Sequence, residues 1–268
     1  MPTPSIFTSI INSYLPEPHA SLLNGIIFGV NLKTTKAFYE QLKIVGLLHL
    51  VVLSGINITM LAAMVTSTTA FLGKFTSILI TGIIIILFIV FVGPQAPIVR
   101  AGFMGILTLV AILYGRKKMV LYSLGLSALF IAIFWPRWLT SVSFQLSYGA
   151  TLGIVLFGRV EEKKSKDWLE KLRIDIWKDI KLSLAAQLFT TPIIFFYFKQ
   201  VSLIAPLSNL LVSILIPPLM IIGFLTAILG KINFWLGLIP AYICHGLLSY
   251  MVFIIEVLSK LPFVYFKF

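Results

Sequence analysis

Residues 77–92 read SILITGIIIILFIVFV, and no charged side chain interrupts these sixteen positions. A bilayer core of about 30 Å needs about 20 apolar residues per helix. Across the chain 59% of residues are hydrophobic and 11% are charged, whereas a typical soluble domain has about 25% charged residues. Continuous runs favour helices over the alternating segments of a membrane β-barrel. The sequence therefore predicts an all-α polytopic membrane protein and excludes a soluble globular domain.

Apolar stretches of similar length continue on both sides of this run. They predict about eight hydrophobic segments, some broken or re-entrant, at 44–72, 76–92, 98–114, 119–134, 141–158, 181–198, 202–229 and 233–258. Pro217 and Pro218 interrupt one stretch, which makes 202–229 the best candidate for a re-entrant segment. Prolines in residues 1–43 predict an N-terminal segment with short interfacial helices, followed by a transmembrane domain over 44–268.

The net charge of +12 is unevenly distributed, because six of the nine acidic residues lie between positions 161 and 179. Apolar residues at three- and four-residue steps predict an amphipathic cytoplasmic helix over 159–181. A helix lying on the inner leaflet is favoured over a docking helix for a cytoplasmic partner. The basic cluster at 116–118 is also expected in the cytoplasm, and two segments separate it from this block.

Polar side chains inside apolar segments are the candidates for function, because hydrocarbon does not solvate them. His49 and Asn57 are eight residues apart and share a helical face, with Ser54 at its edge. Gly55 permits a kink or a close approach of another backbone. Hydrogen bonds between helices and a polar passage explain this cluster equally well.

Arg100 follows Pro97 and lies near the start of the next helix. Its long side chain either reaches the lipid headgroups or forms a fixed cation near a passage, where it could bind phosphate. Ser141, Gln145 and Tyr148 form a polar stripe along the fifth segment. Such a stripe suits a water-filled cavity or a polar helix interface.

The usual signatures of enzymes do not occur in this sequence. It contains no HExxH motif, no phosphate-binding GxxxxGK[ST] loop and no GxSxG motif. Cys244 is alone, and the histidines at 19, 49 and 245 are scattered along the chain. We therefore expect no catalytic residue, no metal site and no cofactor.

Four stretches, in chain order, carry a family resemblance. They are GLLHLVVLSGIN at 46–57, PIVRA at 97–101, SFQLSY at 143–148 and PLSNLL at 206–211. Together the four stretches resemble the ComEC family, the membrane channel of bacterial natural competence. The resemblance covers roughly residues 20–230, and Asn57 stands where many relatives have histidine.

The resemblance implies passage of single-stranded DNA across the cytoplasmic membrane during natural transformation. It also implies partners besides the lipid bilayer: a surface DNA receptor, a pilus and a motor ATPase. The OB-like and metallo-β-lactamase-like nuclease domains common in the family are missing from this sequence, so a permease core with a nuclease supplied in trans is expected.

The residues expected to line or brace the passage are taken from the polar positions inside apolar segments and from the four family stretches. They are His49, Ser54, Gly55, Asn57, Arg100, Gln145, Ser147 and Asn209. The main alternative is a small-solute transporter with a broken-helix site at the membrane midplane. A scaffold that only assembles other membrane proteins is the third hypothesis.

Overall fold

The computed structural model describes residues 4–30, 32–48, 55–115, 120–158, 168–261 and 265–267. These residues form helices, turns and one short sheet. The helices are α1 Ser5–Tyr14, α2 His19–Phe28, α3 Lys36–Ile44, α4 Gly55–Thr69, α5 Lys74–Val92, α6 Ala96–Leu113, α7 Val120–Phe134, α8 Val142–Phe157, α9 Trp168–Phe198, α10 Ala205–Ser213, α11 Ile216–Ile232 and α12 Phe234–Ser259. The antiparallel strands are β1 Gln200–Ser202 and β2 Tyr265–Lys267.

The described residues contain four helical stretches long and apolar enough to cross a membrane: α5, α6, Ile176–Tyr197 within α9, and α12. Helices α10 and α11 add a fifth if the pair, bent by 48°, is one span. Helices α7 and α8 are apolar but shorter. The helical membrane fold is therefore confirmed, whereas the predicted count of about eight segments is not.

The start of the first predicted segment, 44–72, differs from the prediction. Helix α3 ends at Ile44, and Gly46 has a φ of 74°. A Cβ atom at Gly46 would lie 2.6 Å from the Cβ of Ala205, so this turn packs tightly against the start of α10. The predicted segment therefore does not begin as one helix at residue 44, because a positive-φ glycine turns the chain first. Its residues 49–54 lie outside the described part of the chain.

The stretch 202–229 is interrupted, as the sequence predicts. Helix α10 ends at Ser213 and α11 begins at Ile216, immediately before Pro217. Proline is tolerated in the first turn of a helix, where its missing N–H has no partner to lose. The prolines therefore begin the second helix, and the break precedes them.

Helix α9 changes the interpretation of the block 159–181. Residues 159–167 lie outside the described part of the chain, but from Trp168 a single helix of 31 residues continues to Phe198. At 1.5 Å per residue this helix is about 46 Å long. No glycine or proline precedes Pro192 within this helix. The described part of the amphipathic block is therefore continuous with the span.

Apolar packing concentrates in two places. The terminal core joins both ends of the chain, with buried side chains from α1–α3 and α10–α12, among them Leu23, Ile26, Leu42, Leu219 and Leu248. The central cluster is smaller and consists of Ile58, Ile85, Phe88, Ile98, Ala101 and Leu109. The terminal core includes residues on both sides of position 43, and α2 is buried along almost its whole length.

Candidate functional site

Arg100 of α6 is half-buried between helices, and its guanidinium group is held in place. Its Nε donates a hydrogen bond to Ser147 Oγ of α8 at 2.9 Å. Its Nη1 lies 3.5 Å from the sulfur of Met104, one turn further along α6. The side chain therefore turns towards α8, and the charge is fixed inside the helix assembly.

Tyr148 extends the contact to a third helix. The guanidinium carbon of Arg100 lies 5.7 Å from the centre of the Tyr148 ring, within the range of a cation–π interaction. The hydroxyl of Tyr148 lies 2.8 Å from Ser127 Oγ on α7, and Ser127 is fully buried. Helices α6, α7 and α8 thus meet around one cation.

Gly55 explains how α4 approaches the same cation. A Cβ atom at this position would lie 3.1 Å from Arg100 Nη2 and 3.3 Å from the Cβ of Ala101. Both distances are tighter than ordinary van der Waals contact. A side chain at position 55 would therefore push against the guanidinium group, which accounts for glycine here.

The electrostatic character of this group follows from its neighbours. The described contacts of the Arg100 guanidinium are a hydroxyl, a thioether and an aromatic ring, all of them uncharged. Among the described residues no carboxylate forms an ion pair with it. An arginine can form two parallel hydrogen bonds to a phosphate or carboxylate. The arrangement therefore suits an anion that comes from outside the described chain.

Asn57 lies in a different environment. It is 1% exposed, and its Nδ2 donates to the backbone carbonyl of Ile26 at 2.6 Å. Because Ile26 is on α2, Asn57 connects α4 with the terminal core. This contact favours the bracing interpretation of Asn57.

Asn209 and Gln145 also lie apart from Arg100. Asn209 Nδ2 lies 3.3 Å from Ser183 Oγ on α9, and its Oδ1 is buried without a hydrogen-bond partner among the described residues. Gln145 makes a long contact of 3.5 Å with the carbonyl of Thr140, five residues earlier. Of the predicted site residues, the structure brings together Gly55, Arg100 and Ser147. His49 and Ser54 lie outside the described residues.

Some contributors were not identified from the sequence. Ser127 and Met104 join the arginine cluster, yet each is an ordinary residue of an apolar helix in the sequence. Gly149 and Gly153 allow α8 to pack closely on α9, since a Cβ atom at Gly153 would collide with the carbonyl of Ala185. Their four-residue spacing is the known small-residue signal for close helix packing, and it could have found them.

The described residues include no group of three or more histidine, cysteine or acidic side chains that could hold a metal ion. The fold and site thus define a helical membrane protein with a fixed cation between its helices. A model of the family described as Competence protein matches residues 26–268. The chain belongs to this family, and the resemblance seen in the motifs is confirmed.

A curated relative shares part of the sequence. ComE operon protein 3 of Bacillus subtilis (strain 168) is 24% identical over 206 residues, which cover 76% of this chain and 25% of that protein. The aligned region thus spans about a quarter of the length of this relative. No solved structure matches the chain.

Proposed function

We propose that this chain forms a helical passage for single-stranded DNA across the cytoplasmic membrane during natural transformation. The observation that carries the proposal is Arg100, a cation fixed between α6 and α8 of a competence-family protein and without a described carboxylate partner. The phosphates of a DNA strand supply the anion that such a group binds.

A single fixed cation suits passage better than a dense basic surface does. Each phosphate contact adds affinity and slows release of the strand. The cluster around Arg100 is otherwise composed of neutral groups such as Ser147, Tyr148 and Ser127. We therefore propose that Arg100 contacts the phosphates transiently while Ser147 keeps its guanidinium group oriented.

The proposal assigns transport, and no catalytic step, to the described helices. A surface DNA receptor, a pilus, a motor ATPase and a nuclease acting in trans belong to the proposal as partners. The small-solute alternative gains no specific support from the described cavities. The groove of about 700 Å³ is lined by Phe157 of α8 and by residues of α9 such as Leu184 and Leu188, and it is mostly apolar.

The test compares charge variants in the native host. Arg100→Gln is expected to lower the number of transformants by about tenfold to a hundredfold, the equivalent of one lost charge-assisted hydrogen bond. Arg100→Lys should recover part of the loss, because it keeps the charge without the planar fork. Arg137→Gln is the matched control, since Arg137 is exposed in the turn between α7 and α8.

Membrane levels of each variant are measured by immunoblot, and electroporated DNA controls for recombination. If Arg100→Gln gives as many transformants as the wild type at an equal protein level, Arg100 does not contact the strand. If deletion of the whole gene leaves natural uptake unchanged in a competent host, the passage itself is excluded.

A further inference from the structure

Two histidines that are far apart in the sequence meet face to face. The rings of His19 on α2 and His245 on α12 are stacked, with centroids 4.8 Å apart and planes inclined by 11°. Ser249 connects them along one edge. Its Oγ lies 3.1 Å from His19 Nε2 and 3.4 Å from His245 Nδ1.

The position of this pair makes it unusual. His245 is the twelfth residue of the 26-residue helix α12, so the pair lies near the middle of a span. Titratable groups at membrane depth are rare, and they commonly mark a functional site. The pair is also separate from the cluster around Arg100, which lies on other helices.

The hydrogen bonds limit how many protons the pair can hold. With both rings neutral, His19 Nε2–H can donate to Ser249 Oγ, and the Ser249 hydroxyl can donate to His245 Nδ1. One added proton is accommodated on His245, because Ser249 Oγ has two lone pairs and can accept from both rings. A second proton would go to His19 Nδ1, which is buried and has no partner among the described residues.

The surrounding charges act on His19 in opposite directions. The ring of His245 repels a charged His19 ring, whereas the carboxylate of Glu17 attracts it. Glu17 is also engaged locally, where its Oε2 accepts a hydrogen bond from the N–H of Ser21 at 3.3 Å. Glu17 therefore moderates the repulsion between two charged rings without removing it.

We propose that His19 and His245 form a proton-binding site that holds one proton while the rings stay stacked, and that a second proton releases the start of α2 from α12. Helix α2 is buried along most of its length and is attached at its other end by Asn57. Loss of the histidine contact thus frees one end of a helix in the terminal core. The site couples the protonation of two side chains to the position of that helix.

The direction of the pH effect follows from proton linkage. Two charged rings stacked 4.8 Å apart repel each other, so the contact favours states in which at most one ring is charged, whereas separate histidines ordinarily titrate near pH 6.5. We therefore expect α2 to stay packed against α12 above about pH 6.5 and to be released increasingly as the pH falls. Between about pH 6.5 and the lower pH at which the stacked pair takes up its second proton, the equilibrium constant for packing α2 against α12 is expected to fall by up to about tenfold per pH unit.

The first experiment counts protons directly in the wild-type protein. The full chain, labelled with ¹⁵N-histidine and placed in lipid nanodiscs, has only three histidines to resolve. The single variants His19→Gln and His245→Gln assign the signals. We expect two protonation steps for the pair, separated by at least about one pH unit. A single shared step for both rings would overturn the proposal.

The second experiment follows the helix by hydrogen–deuterium exchange of peptides from α2 between pH 7.5 and pH 5. Rates are corrected for the intrinsic pH dependence of exchange and compared with peptides from α5. Hydrogen–deuterium exchange in α2 of the wild type should increase as the pH falls, and this increase should disappear in His245→Gln. In Glu17→Gln the increase should occur at a lower pH. His49→Gln is the matched control and should show the same increase as the wild type.

His19→Gln provides the same exchange readout if it folds. The number of protonation steps is counted in the wild type, and only the assignment of the signals uses the variants. If His245→Gln retains the wild-type step in α2, or if α2 exchanges equally at both pH values in the wild type, the proposed release does not occur.

Discussion

The terminal core and the central helices α4–α9 are held together in different ways. In the terminal core, large apolar side chains interdigitate and enclose short helices, so that Leu23 of α2 is 0% exposed. In the central region the apolar cluster is smaller, and helices also meet through glycines and hydrogen bonds. Only 6% of the α9 span is buried there, although α6 reaches 33%, against 28% for α12. Apolar sequence alone does not distinguish these two regions, since lipid accepts the same side chains as a protein core does.

The largest expected effect concerns the terminal core. Leu23→Ala should lower the free energy of unfolding by about 2–5 kcal/mol, because it leaves a cavity among side chains that cannot all move in. Leu87→Ala on α5 is the matched control, since Leu87 is 61% exposed. Thermal unfolding of both variants in one detergent measures the difference. Equal losses would show that the two regions are packed alike.

A smaller effect is expected from glycines in the two regions. Gly153→Ala brings a methyl group against the backbone carbonyl of Ala185, whereas Gly223→Ala meets the side-chain ends of Ile27 and Leu23. Backbone cannot rotate away as a side chain can, so Gly153→Ala should cost about 1–3 kcal/mol and Gly223→Ala less.

The control for this comparison is Gly82→Ala, because no atom lies within 4 Å of a Cβ built at Gly82. Its unfolding temperature should match or slightly exceed that of the wild type. The readout is the fraction of monodisperse protein after heating. A larger loss for Gly223→Ala than for Gly153→Ala would reverse the ranking of the two regions.

The smallest effects separate two polar residues of α8. Ser147→Ala removes the acceptor of the Arg100 Nε–H and should cost about 1–2 kcal/mol, together with part of the uptake activity. Gln145→Ala removes only a 3.5 Å contact and should change stability by less than about 0.5 kcal/mol. Unfolding curves and transformant counts are compared at equal protein level. Equal behaviour of the two variants would argue against the arginine cluster as a unit.

Hydropathy predicted the long spans closely, because length and apolarity are visible in the sequence itself. The predicted segments 76–92 and 233–258 correspond to α5 and α12, with ends within two residues. The prolines in residues 1–43 predict short interfacial helices there. The structure shows that α2 is also buried in the terminal core, a contact that only tertiary packing decides.

The candidate site shows the same limit. Polar residues in apolar segments were selected because they need partners, and Arg100 and Ser147 are partners in the structure. The partner of Asn57 is a backbone carbonyl, which every residue has, so no sequence signal could identify Ile26. His19 and His245 were interpreted as scattered, because nothing local indicates that α2 lies against α12.

The terminal core also has a consequence for how the protein is made. Its buried side chains come from residues 11–47 and again from residues 212–258, so it cannot be complete until residue 258 has left the ribosome. Contacts over such long sequence separations form late and slowly. Helices α1–α3 therefore have to wait in or at the membrane for α10–α12, and during that time they are available to chaperones, proteases and the insertion machinery.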